Sequence, residues 1–360
     1  MSAMRPTFAE LAARLAAEGH APDPALAPPA VIDDDPLPWF VRVLVGVGAW
    51  LSASFVLGLC GAIFSSALES VSLVLGLVLV GVGAAVIRSQ RDQSSGRALF
   101  VRQGALAGVL AGQGLVIFGA SQSGSEVVTA LVAIGLAGAT IFAVRDPVAS
   151  FLSAFGACVA LAWLLVELHV PRALDVIALA FAAAAGALWL SRPARFERVG
   201  QDALAPVAHA VTLALFGTLL FATKIGPLCD VSEWRGMSPP GHPAAVGLGL
   251  AAVALALVIR RDLGLGRLAP LDSVALAGLA LLGPATPGAP GLAGALAALL
   301  MALHRREPLL LGTSVVFLVA FLGAYYYALA ATLLMKALLL ALAGAALLGG
   351  ALVATRRRAS

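Results

Sequence analysis

Residues 71–91 read VSLVLGLVLVGVGAAVIRSQR, a run of seventeen uncharged residues that is followed by arginines at positions 88 and 91. Apolar side chains surround the whole circumference of a helix built from this run, so the helix must be embedded in apolar material. Its length is close to the roughly 20 residues that cross the ~30 Å hydrocarbon core of a bilayer. The stretch therefore predicts a membrane-spanning helix with a basic boundary.

The same arrangement recurs along most of the chain. Pairs of apolar runs end in arginine, as in AVRDP at 143–147 and VIRRD at 258–262. The pattern predicts an all-α fold, a polytopic transmembrane helix bundle of about 12 helices. We place these helices near 41–64, 71–87, 103–120, 127–144, 147–168, 173–191, 206–223, 244–259, 271–283, 291–304, 308–328 and 331–354.

Composition supports the membrane interpretation. Apolar residues make up 61% of the 360 residues and charged residues 12%, whereas soluble domains are roughly 45–50% apolar and about 25% charged. The net charge of +4 comes from small groups of arginines between apolar runs. Because a nucleic-acid surface needs basic residues clustered on one face, we expect no nucleic-acid partner. The high Ala, Gly and Arg content indicates a bacterial source.

The distribution of basic residues predicts the orientation. Of the 23 Lys and Arg, nineteen fall before or at the start of the first helix or after even-numbered helices, three fall after odd-numbered helices, and Lys336 lies within the last helix. Since cytoplasmic loops carry the excess of Lys and Arg, both termini are expected in the cytoplasm. The predicted location is the bacterial cytoplasmic (inner) membrane.

Four regions follow from the pattern. Residues 1–20 predict a cytoplasmic amphipathic helix, with a capping-box spacing from Thr7 to Glu10. Residues 21–38 form a Pro- and Asp-rich linker, 39–355 the transmembrane domain, and 356–360 a basic tail.

The segments 271–283 and 291–304 are short for crossings, and Pro284, Pro287 and Pro290 lie between them. They predict either two short tilted helices or a re-entrant hairpin, which would leave 10 crossings. Both alternatives preserve the order of basic loops, and we favour two crossings.

Gln113 is the deepest polar residue of the predicted spans and a candidate intramembrane polar site. It follows Gly104, Gly108 and Gly112, a doubled GxxxG spacing that predicts close approach of a second helix. Gln113 either forms a hydrogen bond across that contact or lines a substrate path.

Lys336, about one turn into the last predicted helix, is a second candidate. Its long side chain either reaches the outer interface, at the level of the anchors Tyr325, Tyr326 and Tyr327, or pairs with Glu167 inside the bundle.

No motif for catalysis, a cofactor or a metal is present in the sequence. The five His and three Cys have no ligand spacing, and GxxxxGK[ST] and GxSxG are absent. We therefore expect neither an enzyme nor a cofactor.

Two stretches carry a family resemblance: PWFVRVLVGVGAWLSASFVLG at 38–58 and LGAYYYALAATLLMKALLLALAGAALL at 322–348. With the hairpins between them, they resemble the bacterial multi-pass membrane proteins catalogued as domain of unknown function 4401. The matching features include the interface anchors Trp39 and Trp50, the tyrosine run, and the leucines before Lys336. The chain has Ala337 where the family tends to have serine. The resemblance implies a membrane location and a second membrane protein as a possible partner, and supplies no activity.

Three hypotheses for function remain. The first is a non-enzymatic scaffold or accessory subunit that acts with a membrane partner. The second is a secondary transporter or channel for a small solute, because broken helices often line transport sites. The third is a lipid-modifying membrane enzyme, which requires paired catalytic residues that the sequence does not show.

Overall fold

The computed structural model describes residues 38–63, 68–90, 95–144, 146–190, 201–221, 241–262, 264, 270–286 and 289–328. This part of the chain is all-α and contains eleven helices. In chain order they are α1 Trp39–Ile63, α2 Leu68–Ser89, α3 Gly96–Ser121, α4 Glu126–Val144, α5 Pro147–Glu167, α6 Ala173–Leu190, α7 Gln201–Leu220, α8 His242–Asp262, α9 Pro270–Ala285, α10 Pro290–Arg305 and α11 Pro308–Ala328.

These helices match the first eleven predicted segments, with two differences at their amino ends. Helix α3 begins seven residues earlier than predicted, because Ser95 caps it and its Oγ accepts a hydrogen bond from the Ala98 amide (3.2 Å). Helix α7 begins five residues earlier and contains Pro206. Pro206 is the sixth residue of the helix, so it removes one backbone hydrogen bond to the carbonyl four residues before it.

Seven of the described helices are long and apolar enough to cross a membrane: α2, α3, α4, α5, α6, α8 and α11. Shorter apolar segments lie in α1, α7 and α10. Large apolar side chains also cover the outside of the bundle; Phe55 is 83% exposed, and Leu44 and Phe142 are each 71% exposed. Lipid is the environment that such a surface requires, so the chain is an integral membrane protein.

Helix contacts divide the bundle into two groups that meet at α5. In the first group, α3 packs against α1, α2 and α4, and α4 packs against α5. In the second, α8 packs against α6, α9 and α10, while α10 also contacts α7 and α11. Helix α5 contacts both α6 and α7. The larger core lies in the second group and includes a stack of Phe216, Phe317 and Phe321.

Helices α9 and α10 have 16 residues each, which gives a length of roughly 24 Å. The first turns of α10, from Pro290 to Ala295, are buried completely among other helices. Both elements are therefore helical, as predicted, and shorter than the hydrocarbon core.

The predicted amphipathic helix at 1–20, most of the linker, the segment 331–354 with Lys336, and the basic tail at 356–360 lie outside the described residues.

Candidate functional site

Helices α2 and α3 approach each other through glycines. A Cβ atom at Gly112 would lie 2.7 Å from the Gly76 carbonyl oxygen, and a Cβ at Gly76 would lie 2.7 Å from that of Gly112. Two turns after Gly112 on α3, a Cβ at Gly119 would lie 2.8 Å from Ser72 Oγ. Two turns after Gly76 on α2, a Cβ at Gly83 would lie 2.6 Å from a Val109 methyl. The contact therefore follows a seven-residue spacing on both helices.

The predicted glycine ladder needs correction. Gly112 makes the close approach, but a Cβ at Gly104 or at Gly108 would meet no atom within 4 Å. Residues four apart lie about 40° from each other around a helix, and residues seven apart lie closer to one face. The face that contacts α2 is consequently the one that Gly112 shares with Gly119.

Gln113 is held by two neighbouring helices. Its Nε2 donates hydrogen bonds to Thr140 Oγ1 on α4 (2.8 Å) and to Ser153 Oγ on α5 (3.0 Å). The Thr140 hydroxyl donates its own hydrogen to the Leu136 carbonyl, so it can only accept from Gln113. This assignment leaves Gln113 Oε1 without a hydrogen-bond partner among the described residues.

Polar groups continue from Ser153 toward the amino end of α5. Ser150 is fully buried, and its Oγ has no hydrogen-bond partner within the described part of the chain. One further turn away, the Asp146 carboxylate accepts from Arg102 Nε of α3 (3.0 Å) and also contacts Arg102 Nη2. A column of polar side chains thus runs between α3 and α5. In order along the column, it consists of Arg102, Asp146, Ser150, Ser153 and Gln113, and Thr140 lies beside Gln113.

Asp146 and Arg102 form one end of that column. Asp146 Oδ1 accepts from the amides of Val148 (2.9 Å) and Ala149 (3.1 Å), which caps α5, and Asp146 Oδ2 pairs with Arg102. The aspartate side chain is 4% exposed. Both oxygens are therefore satisfied, and the carboxylate joins α3 to α5.

A second buried aspartate joins α6 to α8. Asp175 Oδ2 accepts from Arg172 Nε (2.8 Å), and Oδ1 accepts from the amides of Gly241 (2.9 Å) and Ala244 (3.2 Å). The carboxylate in the first turn of α6 therefore caps the amino end of α8.

Sequence reasoning missed both aspartates. The pair Asp146–Pro147 is a helix-start signal, since aspartate is a favoured cap and proline is favoured at the first helical position. Asp175 stands alone in the apolar run ALDVIALAF at 173–181, where an acidic residue calls for an explanation.

The other predicted site residues are spread over the molecule. Trp50 Nε1 donates to Gln103 Oε1 on α3 (3.3 Å). Tyr326 and Tyr327 form an edge-to-face pair with ring centroids 5.6 Å apart, and Tyr325 is partly buried against the larger core. Glu167 is partly buried at the end of α5.

The remaining anchors and candidates lie partly or wholly outside what the structure describes. The Trp39 side chain is not among the described ones, and Lys336 lies beyond the described residues. The pairing of Glu167 with Lys336 therefore stays a prediction.

Comparison with known families gives one assignment. The family model described as Domain of unknown function (DUF4401) matches residues 38–357. The chain belongs to the DUF4401 family. This confirms the resemblance seen in the sequence. No curated protein and no solved structure matches the chain.

Interhelical polar contacts in this DUF4401 protein occur at one end of the second helix group as well. Trp189 Nε1 donates to Thr212 Oγ1 (3.2 Å), and its ring meets His209 edge-on with centroids 4.9 Å apart. His304 Nε2 lies 3.5 Å from an Asp262 carboxylate oxygen. Among the described residues, no three of His, Cys, Asp and Glu form a metal-binding group. The chemistry visible in this part of the DUF4401 bundle is hydrogen bonding between helices.

Proposed function

We propose that the protein is a non-enzymatic integral membrane protein that acts with a second membrane protein as a scaffold or accessory subunit. The observation that carries the proposal is a lipid-facing groove of about 520 Å³ between α1 and α3. Its lining includes Val43, Gly46, Val47 and Trp50 of α1 and Gln103 of α3.

Gln103 gives the groove its binding chemistry. Its Oε1 accepts from Trp50, while its Nε2 has no hydrogen-bond partner among the described residues. An amide with unused donors is costly in hydrocarbon, and interhelical hydrogen bonds from such groups are a common means of helix association. Small residues such as Gly46, where a Cβ would meet nothing within 4 Å, let a partner backbone approach.

A photo-crosslinking residue tests the groove. We expect a crosslinker at Val47, in native membranes, to give one discrete protein adduct, and a crosslinker at Val78, which is exposed on α2, to give lipid adducts. Gln103→Leu should weaken the Val47 adduct about threefold or more, because an intramembrane hydrogen bond contributes ~0.6 kcal/mol or more. The proposal would be contradicted if crosslinkers at Val47 and Val78 gave the same set of adducts and the protein also ran as a monomer without a partner in mild detergent.

Transport of a small neutral solute is the second candidate, and the polar column favours it. Ser150 Oγ is buried without a hydrogen-bond partner among the described residues, and the partly buried Gln113 has no partner for its Oε1 there either. The charges at the end of the column, Arg102 and Asp146, neutralise each other. A solute that hydrogen-bonds without carrying charge suits these groups best.

Proteoliposomes test this second candidate. If the column conducts, light scattering after an osmotic shock with urea or glycerol should show faster solute entry than in protein-free vesicles. Gln113→Leu should then remove most of the difference, because it deletes the amide that joins α3 to α4 and α5 in the column. Entry rates identical to those of empty vesicles would exclude transport of these solutes.

We further propose twelve crossings in the bacterial cytoplasmic membrane with both termini in the cytoplasm. The distribution of arginines supports this topology. In intact cells, a cysteine at Ser123, in the turn between α3 and α4, should react with an impermeant label, and a cysteine at Arg195 should not. Labelling at Gly288 supports two crossings at 271–304, whereas protection there supports the re-entrant hairpin.

A further inference from the structure

A cavity of about 450 Å³ lies among α6, α7, α8 and α10, and Leu310 of α11 also contributes to its lining. On α6 its lining runs from Leu179 to Leu190, and on α8 from Gly247 to Val258. The first and last residue of each range are eleven steps apart, or roughly 16 Å along the helix, so the cavity is elongated along both helices. We call it the α6–α8 slot.

The slot is closed at one end and open at its side. At the closed end, a Cβ at Gly247 would collide with Leu179, so α6 and α8 touch there. Along its length, the lining residues Ala183, Ala187, Ala251 and Ala254 are exposed on the outer surface of the bundle. A molecule can therefore enter from the lipid between the two helices.

The interior of the slot suits hydrocarbon. Of the described residues that line it, Trp189 and Thr212 carry the polar side-chain atoms, and both are engaged. Trp189 Nε1 donates to Thr212 Oγ1, and Thr212 Oγ1 donates to the Ala208 carbonyl (2.8 Å). A polar solute would lose its hydration without gaining partners here, whereas an alkyl chain would lose nothing.

A basic side chain, that of Arg261, lies beyond the far end of the slot. Ala254, Val258 and Arg261 are separated by four and three residues on α8, so they share one face, and all three are exposed. The neighbouring Asp262 carboxylate lies against His304. The guanidinium of Arg261 is therefore placed one turn beyond the apolar lining, where an anionic headgroup would lie.

We propose that the α6–α8 slot binds one hydrocarbon chain of an anionic phospholipid, whose phosphate is held by Arg261. The elongated apolar interior matches an acyl chain, and the guanidinium beyond its end matches the phosphate. The opening at the side lets the chain enter from the bilayer. This site is remote from the α1–α3 groove and does not depend on the proposed membrane partner.

Photolabelling of the full chain in nanodiscs tests the site. The probe is phosphatidylglycerol with a diazirine in one acyl chain, and peptide mapping locates the adducts. We expect adducts on α6 and α8 within the slot. Ala183→Phe should remove most of them because the ring fills the slot. Ala184→Phe, one residue away, exposed and outside the lining, should leave them unchanged. Equal labelling of the two variants would overturn the proposal.

The headgroup is tested with a second pair of variants. Arg261→Gln should lower phosphatidylglycerol labelling of the slot about fivefold, the effect of one basic residue near an anionic headgroup. Arg97→Gln, at an exposed arginine of α3, should not lower it. The unmodified protein is also labelled with a phosphatidylcholine probe. If this probe labels the slot as strongly as the phosphatidylglycerol probe does, the assignment to an anionic lipid is overturned.

Discussion

Arg102→Met is expected to lower the free energy of unfolding by roughly 3–5 kcal/mol, the usual cost of removing one partner of a buried ion pair. The variant leaves the Asp146 carboxylate, 4% exposed, without its counter-charge. The Arg102 side chain itself is 34% exposed. Because the arginine can turn toward water when the acid is lost, Asp146→Asn should cost less, about 1–2 kcal/mol. Asparagine also keeps the cap on α5.

A double-mutant cycle in detergent micelles measures this coupling. The double variant Arg102→Met, Asp146→Asn carries no unpaired charge, so it should be more stable than Arg102→Met alone. Unfolding by SDS titration, followed by tryptophan fluorescence, gives the four free energies. If the losses of unfolding free energy in the two single variants add up to the loss in the double variant, the pair does not hold α3 to α5. The same follows if the Arg102→Met protein is as stable as the unmodified one.

Gly112→Ala is expected to destabilise the protein and Gly104→Ala is not, although both residues lie in α3. A Cβ at Gly112 would lie 2.7 Å from the backbone oxygen of Gly76, so α2 and α3 must separate. Such overpacking costs about 1–3 kcal/mol. At Gly104 the Cβ meets nothing within 4 Å. There alanine should be neutral or stabilising by up to ~1 kcal/mol, because glycine is the poorer helix former.

The comparison is internally controlled, since both substitutions add one methyl group to the same helix. Gly108→Ala is a second control and should behave like Gly104→Ala. The same SDS titration ranks the variants. Equal stability of the Gly112 and Gly104 variants would contradict the glycine contact between α2 and α3.

The helices themselves were predictable because each corresponds to an apolar run between polar boundaries. Their ends were less predictable where a charged residue belongs to the helix. Arg97 and Arg102 look like loop residues in the sequence, yet both lie in the first two turns of α3. Arg102 can be there because Asp146, 44 residues later, neutralises it. Pairing over that distance is not encoded in any local pattern.

The candidate site was predictable only in part for the same reason. Gln113 stood out as a deep polar residue, but nothing near it in the sequence indicated Thr140 or Ser153 as its partners. The sequence treats Gly104, Gly108 and Gly112 alike, whereas in the structure only Gly112 of the three lies against α2. A four-residue glycine spacing does not say which face of the helix meets a neighbour, and that depends on the packing of α2.

The Asp175 carboxylate also has a consequence for biogenesis. The amides of Gly241 and Ala244 that it caps are synthesised 66 and 69 residues later. The first amides of a helix have no acceptor within that helix, and in lipid each unsatisfied one is costly. Because α6 leaves the ribosome first, its carboxylate is already in place when α8 reaches the membrane. We therefore expect α8 to dock onto an acceptor made in advance, so that α6 and α8 assemble in the order of their synthesis.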